Sequence, residues 1–273
     1  MYPRVLTMQD ISCVGQCSMT VALPILSACA VETCVLPTAL LSTHTGGFGT
    51  PAVVHFDGNL GEIRRHWQEN AIVFDAILVG YLGSVTAVRE AGEILSQLLA
   101  PGGIAIVDPA MADHGKLYSG FDQTYVREIR ALCQKADILL PNLTEAALLC
   151  GIPWEENGGE AYACRLLDGL GNGRVVLTGV DFPDGETGVL LKEGSKRLSY
   201  RHRRVGGGCH GTGDIFAAAF TGALCRGKQT LDAAKIAAEF TCRCIENTRE
   251  NPAHWYGVKF ETVLPWLTEM LFL

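Results

Sequence analysis

At 273 residues, with 48% hydrophobic and only 19% charged side chains, the chain can bury a sizeable core. No stretch reaches the ~18 consecutive apolar residues that a spanning helix requires, and a net charge of −7 argues against a nucleic-acid footprint. The eleven cysteines are an odd set without a C-x-x-C pair, mostly inside apolar runs, and read as reduced thiols. Met1-Tyr2-Pro3-Arg4 leads into an apolar stretch with no cleavable signal pattern. The expectation is a cytoplasmic protein that engages neither membrane nor nucleic acid.

In chain order, short apolar runs predict strands over Arg4–Met8, Thr33–Pro37, Ala76–Gly80, Gly103–Asp108, Asp137–Leu140 and Val175–Thr178. Helical periodicity fills the gaps at Ser18–Ala28, Leu60–Glu69, Val85–Leu99, Tyr125–Cys133, Thr144–Cys150 and Gly159–Leu167. Pro24 predicts a kink or a late start in the first helix. Beyond Thr178, Gly188–Leu191 and Arg197–His202 read as an antiparallel pair. The run Arg201-His202-Arg203-Arg204 reads as a solvated strand face, or as a neighbour of a polyphosphate. After Gly206-Gly207-Gly208, helices are expected over Asp214–Leu224, Thr230–Thr248 and Phe260–Leu271. This alternation predicts an α/β fold, a three-layer α/β/α sandwich with a mostly parallel central sheet. No linker or repeat divides it, so residues 1–273 are expected to form a single domain.

Ligands of open α/β sheets bind beyond the carboxyl ends of the strands, and four features fall there. Gly211-Thr212-Gly213-Asp214 precedes an apolar helix, where converging backbone N–H groups and the helix dipole suit an anion. A carboxylate beside such a site is repulsive unless it has a task, and Asp214 could accept the proton of an attacking hydroxyl; it also reads simply as a first-turn acid. Pro141-Asn142-Leu143-Thr144-Glu145 reads as a capping box, with Glu145 also placed to hold Mg²⁺. Asp108-Pro109 closes a strand and suits metal or phosphate, or an ordinary turn. Two polar loops complete the set: Leu41–Gly49, which suits a lid, and Gly80–Ser84, whose Tyr81 could stack on a planar ring. His44 reads as a hydrogen-bonded loop residue.

The order of these motifs resembles the pyridoxal kinase family of the ribokinase-like superfamily. Gly80-Tyr81-Leu82-Gly83-Ser84 is similar to that family's G-Y-L-G-S, and Val107-Asp108-Pro109-Ala110-Met111 to its D-P-V-M segment. Pro141-Asn142 with Glu145 resembles P-N-x-x-E, Gly211–Asp214 resembles G-T/V-G-D, and Ser42–Gly46 resembles S-N-H-T-G. The resemblance implies ATP-dependent phosphorylation of the 5′-hydroxymethyl group of pyridoxal, pyridoxine or pyridoxamine. It implies Asp214 as the base and Gly211, Thr212 and Gly213 as the anion hole. Asp108 and Glu145 would serve Mg-ATP, steadied by Asn142; Thr178 and Gly179 would line the nucleotide groove; Thr45 and Tyr81 would touch the ring. A homodimer is implied, and a monovalent-cation requirement is left open.

Two positions depart from the family pattern. Asp10 stands where many members carry a serine that bonds the ring nitrogen, which favours a protonated pyridinium or a different heterocycle; a one-residue shift would instead bring up Ser12. Leu140 replaces a threonine before the P-N pair. A hydroxymethylpyrimidine kinase is the nearest alternative, although those enzymes usually end the His210-Gly211-Thr212-Gly213 run in Cys rather than Asp214. A non-catalytic metabolite-binding homologue is the alternative from another class.

Overall fold

The computed structural model describes residues 2–171, 173–206, 209–249, 251 and 253–272. Gly207 and Gly208 of the predicted glycine run lie outside the described residues. The elements in order are β1 (Arg4–Ser12), α1 (Met19–Ala28), β2 (Glu32–Leu41), β3 (Val53–His55), α2 (Asp57–Glu69), β4 (Phe74–Val79), α3 (Val85–Leu98) and β5 (Leu99–Val107). There follow β6 (Ala112–Asp113), β7 (Lys116–Leu117), α4 (Gln123–Cys133), β8 (Ile138–Leu139), α5 (Leu143–Cys150), α6 (Gly159–Gly169) and β9 (Arg174–Asp181). The chain closes with β10 (Glu186–Glu193), β11 (Lys196–Arg203), α7 (Thr212–Cys225), α8 (Thr230–Arg249) and α9 (Leu264–Phe272).

Nine strands form one sheet in the order β11-β10-β9-β8-β5-β4-β1-β2-β3. The run from β9 to β2 is parallel, whereas β3, β10 and β11 pair antiparallel at the two edges. Side chains alternate between two buried faces: in β4, Ile77 and Val79 join one core, and Ala76 and Leu78 the other. The first core packs the sheet against α2 to α6, and the second against α1, α7, α8 and α9. The three-layer α/β/α expectation therefore holds.

The strand order reverses at β1, which has β2 on one side and β4 on the other. Such a switch point opens a crevice beyond the strands' carboxyl ends. Local departures from the sequence reading are small. The first helix starts without delay at Met19 and continues through Pro24, so the predicted late start is not seen. Edge strand β3 and the β6–β7 hairpin were not predicted, being only three and two residues long and defined by their partners.

Candidate active site

Beyond the carboxyl edge lies a cleft of about 790 Å³, and every site residue expected from the sequence contributes to its wall. Their order along it follows the sheet. Asp10 lies near the end of β1, Tyr81 follows β4, Asp108 follows β5, Asn142 and Glu145 follow β8, and Thr178 and Gly179 belong to β9. Thr45 comes from the loop after β2, and Gly211–Asp214 from the start of α7.

Irregular backbone aims several of these side chains. The β1–β2 register slips between Gln9 and Ile11, and the Asp10 N–H bonds the Tyr81 carbonyl instead (3.1 Å). Asp10 is only 2% exposed, and its carboxylate accepts from the hydroxyl of Ser12 (3.0 Å) and from Ser18. Burial pushes its pKa up. A second slip, between Gly188 and Leu190 of β10, faces Gly179, whose φ of 68° is the left-handed conformation that glycine tolerates. Tyr81 packs against Phe121 (ring centroids 5.4 Å apart), and burial raises its phenol to about 12.

Two helices begin at the cleft. At α5, the Asn142 side chain accepts from the Glu145 N–H (2.9 Å). Glu145 Oε2 accepts in return from the Asn142 N–H (2.9 Å), completing the expected capping box. Glu145 Oε1 also accepts from the Met111 N–H (3.2 Å), and the Asn142 amide donates to the Ala112 carbonyl (2.8 Å). At α7 the Ncap residue is Gly211, with φ 84° and no side-chain cap. A Cβ there would collide with the Gln16 carbonyl oxygen, so glycine alone fits this turn. The first N–H groups of α7 thus face the cleft without a side-chain partner, a ready anion site.

The charges around this anion site are one-sided. Asp10, Asp108, Asp113, Glu145 and Asp214 line the cleft, and no lysine or arginine does so among the described residues. Burial pushes Asp214 up to about 7, against the Ser18 backbone N–H that bonds its carboxylate, with Asp10 adding a small push. Burial and then the Asp214 carboxylate push Asp108 up to about 8. Glu145 lies well above the carboxylate range through burial and its neighbour Asp108, opposed by its two backbone N–H bonds. Asp108 makes no side-chain hydrogen bond among the described residues, and a Cβ on Gly213 would lie 3.9 Å from it. Hard oxygen donors without a counter-cation, next to an anion site, fit a divalent ion carried with a polyphosphate. No group of three ligating side chains forms a closed metal cage among the described residues.

Sequence reasoning passed over part of the wall. Tyr118, just past the β6–β7 hairpin, borders the cleft, its phenol pushed up by burial and by Glu145. At the far end His202 meets Cys242 of α8 (Nδ1 to Sγ 3.2 Å). The basic run divides: Arg201 pairs with Glu160 (3.0 Å) and Arg204 with Asp181 on the surface, while His202 enters the cleft. The two-residue period of β11 sets Arg201 and His202 on opposite faces, and Arg204 lies past the strand's end; the alternation is present in the sequence but hidden by the run of charge.

A doubly wound sheet whose switch-point crevice holds an open helix start and a poised carboxylate defines a ribokinase-like small-molecule kinase. Comparison with known proteins narrows the class. The phosphomethylpyrimidine kinase family profile matches residues 62–258. A pyridoxine/pyridoxal/pyridoxamine kinase of Bordetella avium is 31% identical over 246 residues, covering 86% of this chain and 82% of the relative. The crystal structure of pyridoxal kinase from Lactobacillus plantarum superposes with a TM-score of 0.90 at 34% identity, over 99% of this chain and 98% of that one. A hydroxymethylpyrimidine/phosphomethylpyrimidine kinase of Bacillus subtilis is 28% identical over 178 residues, 64% of each chain. The chain belongs to the pyridoxal kinase family of the ribokinase-like superfamily. It is a kinase, a phosphotransferase.

Proposed function

We propose that the chain transfers the γ-phosphoryl group of ATP to the 5′-hydroxymethyl group of a B6 vitamer: pyridoxal, pyridoxine or pyridoxamine. The observation that carries this reading is Asp214, a carboxylate near pH 7 in the first turn of the uncapped helix α7, within one cleft shared with Tyr81. Asp214 accepts the proton as the hydroxyl oxygen forms its bond to the γ-phosphorus, and the bond to the β-phosphate oxygen breaks to release ADP. Gly211, Thr212 and Gly213 present backbone N–H groups to the charge on the phosphoryl oxygens in flight. Thr178 and Gly179 line the nucleotide half, Thr45 and Tyr81 the vitamer half. Asp108 and Glu145 would hold Mg²⁺, which would supply charge neutralisation for the phosphates. Asn142 orients Glu145 through the capping box. Asp10, ionised and able only to accept, favours a protonated ring nitrogen.

Residues 1–273 act as one kinase domain, a reading supported by the single sheet that takes strands from Arg4 to Arg203. The same reading places the protein in the cytoplasm as a homodimer; no described helix is long and apolar enough to cross a membrane. Hydroxymethylpyrimidine is the second reading, favoured by the Bacillus subtilis relative. A coupled ADP-release assay with the three vitamers and hydroxymethylpyrimidine decides between them. The proposal expects the highest kcat/KM on a vitamer. Preference for hydroxymethylpyrimidine, or no turnover of any vitamer, contradicts it.

A further inference from the structure

His44 has no part in the chemistry above, yet it is one of the most constrained side chains near the cleft. It is 5% exposed, in the loop between β2 and β3 that carries Thr45. Its Nδ1 accepts from the Gly46 N–H (2.9 Å), and its Nε2 lies 2.8 Å from the Tyr256 carbonyl oxygen. A carbonyl can only accept and a backbone N–H can only donate. The pair of contacts therefore specifies a neutral ring with the proton on Nε2.

The same ring joins segments far apart in sequence. A Cβ on Gly15, in the loop after β1, would run into the His44 ring, so that loop packs directly on it. His44 lies edge-on to Phe48 (centroids 5.1 Å), which packs on Trp255 (4.6 Å) next to Tyr256. On the other side is His210 (4.9 Å), the residue preceding Gly211. A Cβ on Gly46 would collide with that His210 ring. One imidazole thus spaces Thr45 and Gly46 against both the C-terminal loop and the approach to the anion site.

We propose that His44, as its neutral Nε2–H tautomer, is a positioning residue that holds Thr45 and Gly46 against the substrate, and that its protonation releases them. A protonated ring has two donors and no acceptor, so the Gly46 N–H would then face another N–H. The groups that face His44 are few: His210 ahead of α7, the Tyr256 carbonyl and the Trp255 side of the C-terminal loop, Phe48 of its own loop, and Gly15. Of these, His210 is the only other imidazole. Burial, with His210 as a lesser contribution, lowers the His44 pKa below the ordinary histidine value of 6.5, and the Tyr256 contact opposes the shift. At pH 7 and above, the holding form prevails.

The inference rests on the vitamer reading for its kinetics, but its geometry can be read without any substrate. Long-range ¹H–¹⁵N correlation of the histidine rings should show His44 protonated on Nε2 and bare on Nδ1 at pH 8; an Nδ1–H tautomer overturns the proposal. With pyridoxal, His44→Ala should raise KM about tenfold at pH 8 while kcat changes less than about threefold, the pattern of lost uniform binding. His44→Asn places an amide oxygen where Nδ1 stood, still accepts from Gly46, and cannot titrate. Its KM should stay within about threefold of wild type at pH 8 and lack the rise that wild type shows as pH falls toward 5. A KM–pH profile in His44→Asn that matches wild type, or a loss confined to kcat, overturns the proposal. Wild-type protein that phosphorylates no vitamer defeats the functional reading instead, and the tautomer measurement then decides the geometry alone.

Discussion

The starts of α5 and α7 open on the same cleft and are built in opposite ways. At α5 the chain supplies its own anion: Glu145 and Asn142 cap each other's backbone, and the remaining Glu145 oxygen tethers the loop at Met111. At α7 a glycine in a left-handed turn offers no side chain at all. Both helices have the same orphan N–H groups and the same positive pole. One is capped by its own side chains; the other has no side-chain cap. On the proposed reading, the contrast accounts for how a cleft lined by five carboxylates would receive a polyphosphate: the anion would meet backbone donors at α7, and a cation would meet acids on the floor.

The contrast can be broken most severely at α7. Asp214→Asn retains the size and polarity of the side chain but accepts no proton. It should lower kcat about a thousandfold while ATP still binds, as checked by steady-state kinetics and nucleotide titration. Retention of more than about a tenth of kcat would remove Asp214 from the role of base. Gly211→Ala forces a Cβ into the Gln16 carbonyl and a positive φ onto alanine. A loss of about a hundredfold or more in kcat is expected, with a folded protein by circular dichroism.

At α5 the effects should be smaller and partly structural. Glu145→Gln leaves one oxygen to serve two backbone donors, so either the Asn142 or the Met111 bond is lost. Thermal denaturation should show a loss of about 1–2 kcal/mol, together with a raised KM for Mg-ATP at unchanged vitamer affinity. Asn142→Ala removes the cap and the bond to the Ala112 carbonyl and should cost about 1–2 kcal/mol.

The acids also make stability depend on pH. Asp108, Glu145 and Asp214 all have folded pKa values above those of the unfolded chain, so the folded state holds extra protons between about pH 4 and pH 8. Their contribution is complete below the unfolded carboxylate pKa and is lost as pH rises through about 7 and 8. The ligand-free Tm should therefore fall over this range, and Mg²⁺ should restore more of it at pH 8 than at pH 5. Asp108→Asn should flatten both trends, and a profile as steep as wild type would deny Asp108 its part.

Much of this was legible in the sequence because the relevant signals are local. The short apolar run of β4, the capping pair Asn142/Glu145 and the glycine-before-helix signature at Gly211 each act within a few residues. What stayed hidden depends on partners distant in the chain. Strand β3 exists because β2 pairs with it, and His202 enters the cleft because α8 brings Cys242 to it. His44 read as an ordinary loop histidine because Tyr256, which fixes its tautomer, lies 212 residues away. The one-sided charge of the cleft was invisible for the same reason: five acids spread from Asp10 to Asp214 meet only when the strand ends align.

The most direct test of the contrast between the two helix starts is amide hydrogen exchange with and without Mg-ADP, fluoroaluminate and a vitamer. An open anion site predicts new protection at the amides of Thr212, Gly213 and Asp214, with little change at those of Leu143, Thr144 and Glu145, already screened by the capping box. Protection gained at α5 with none at α7 would contradict it.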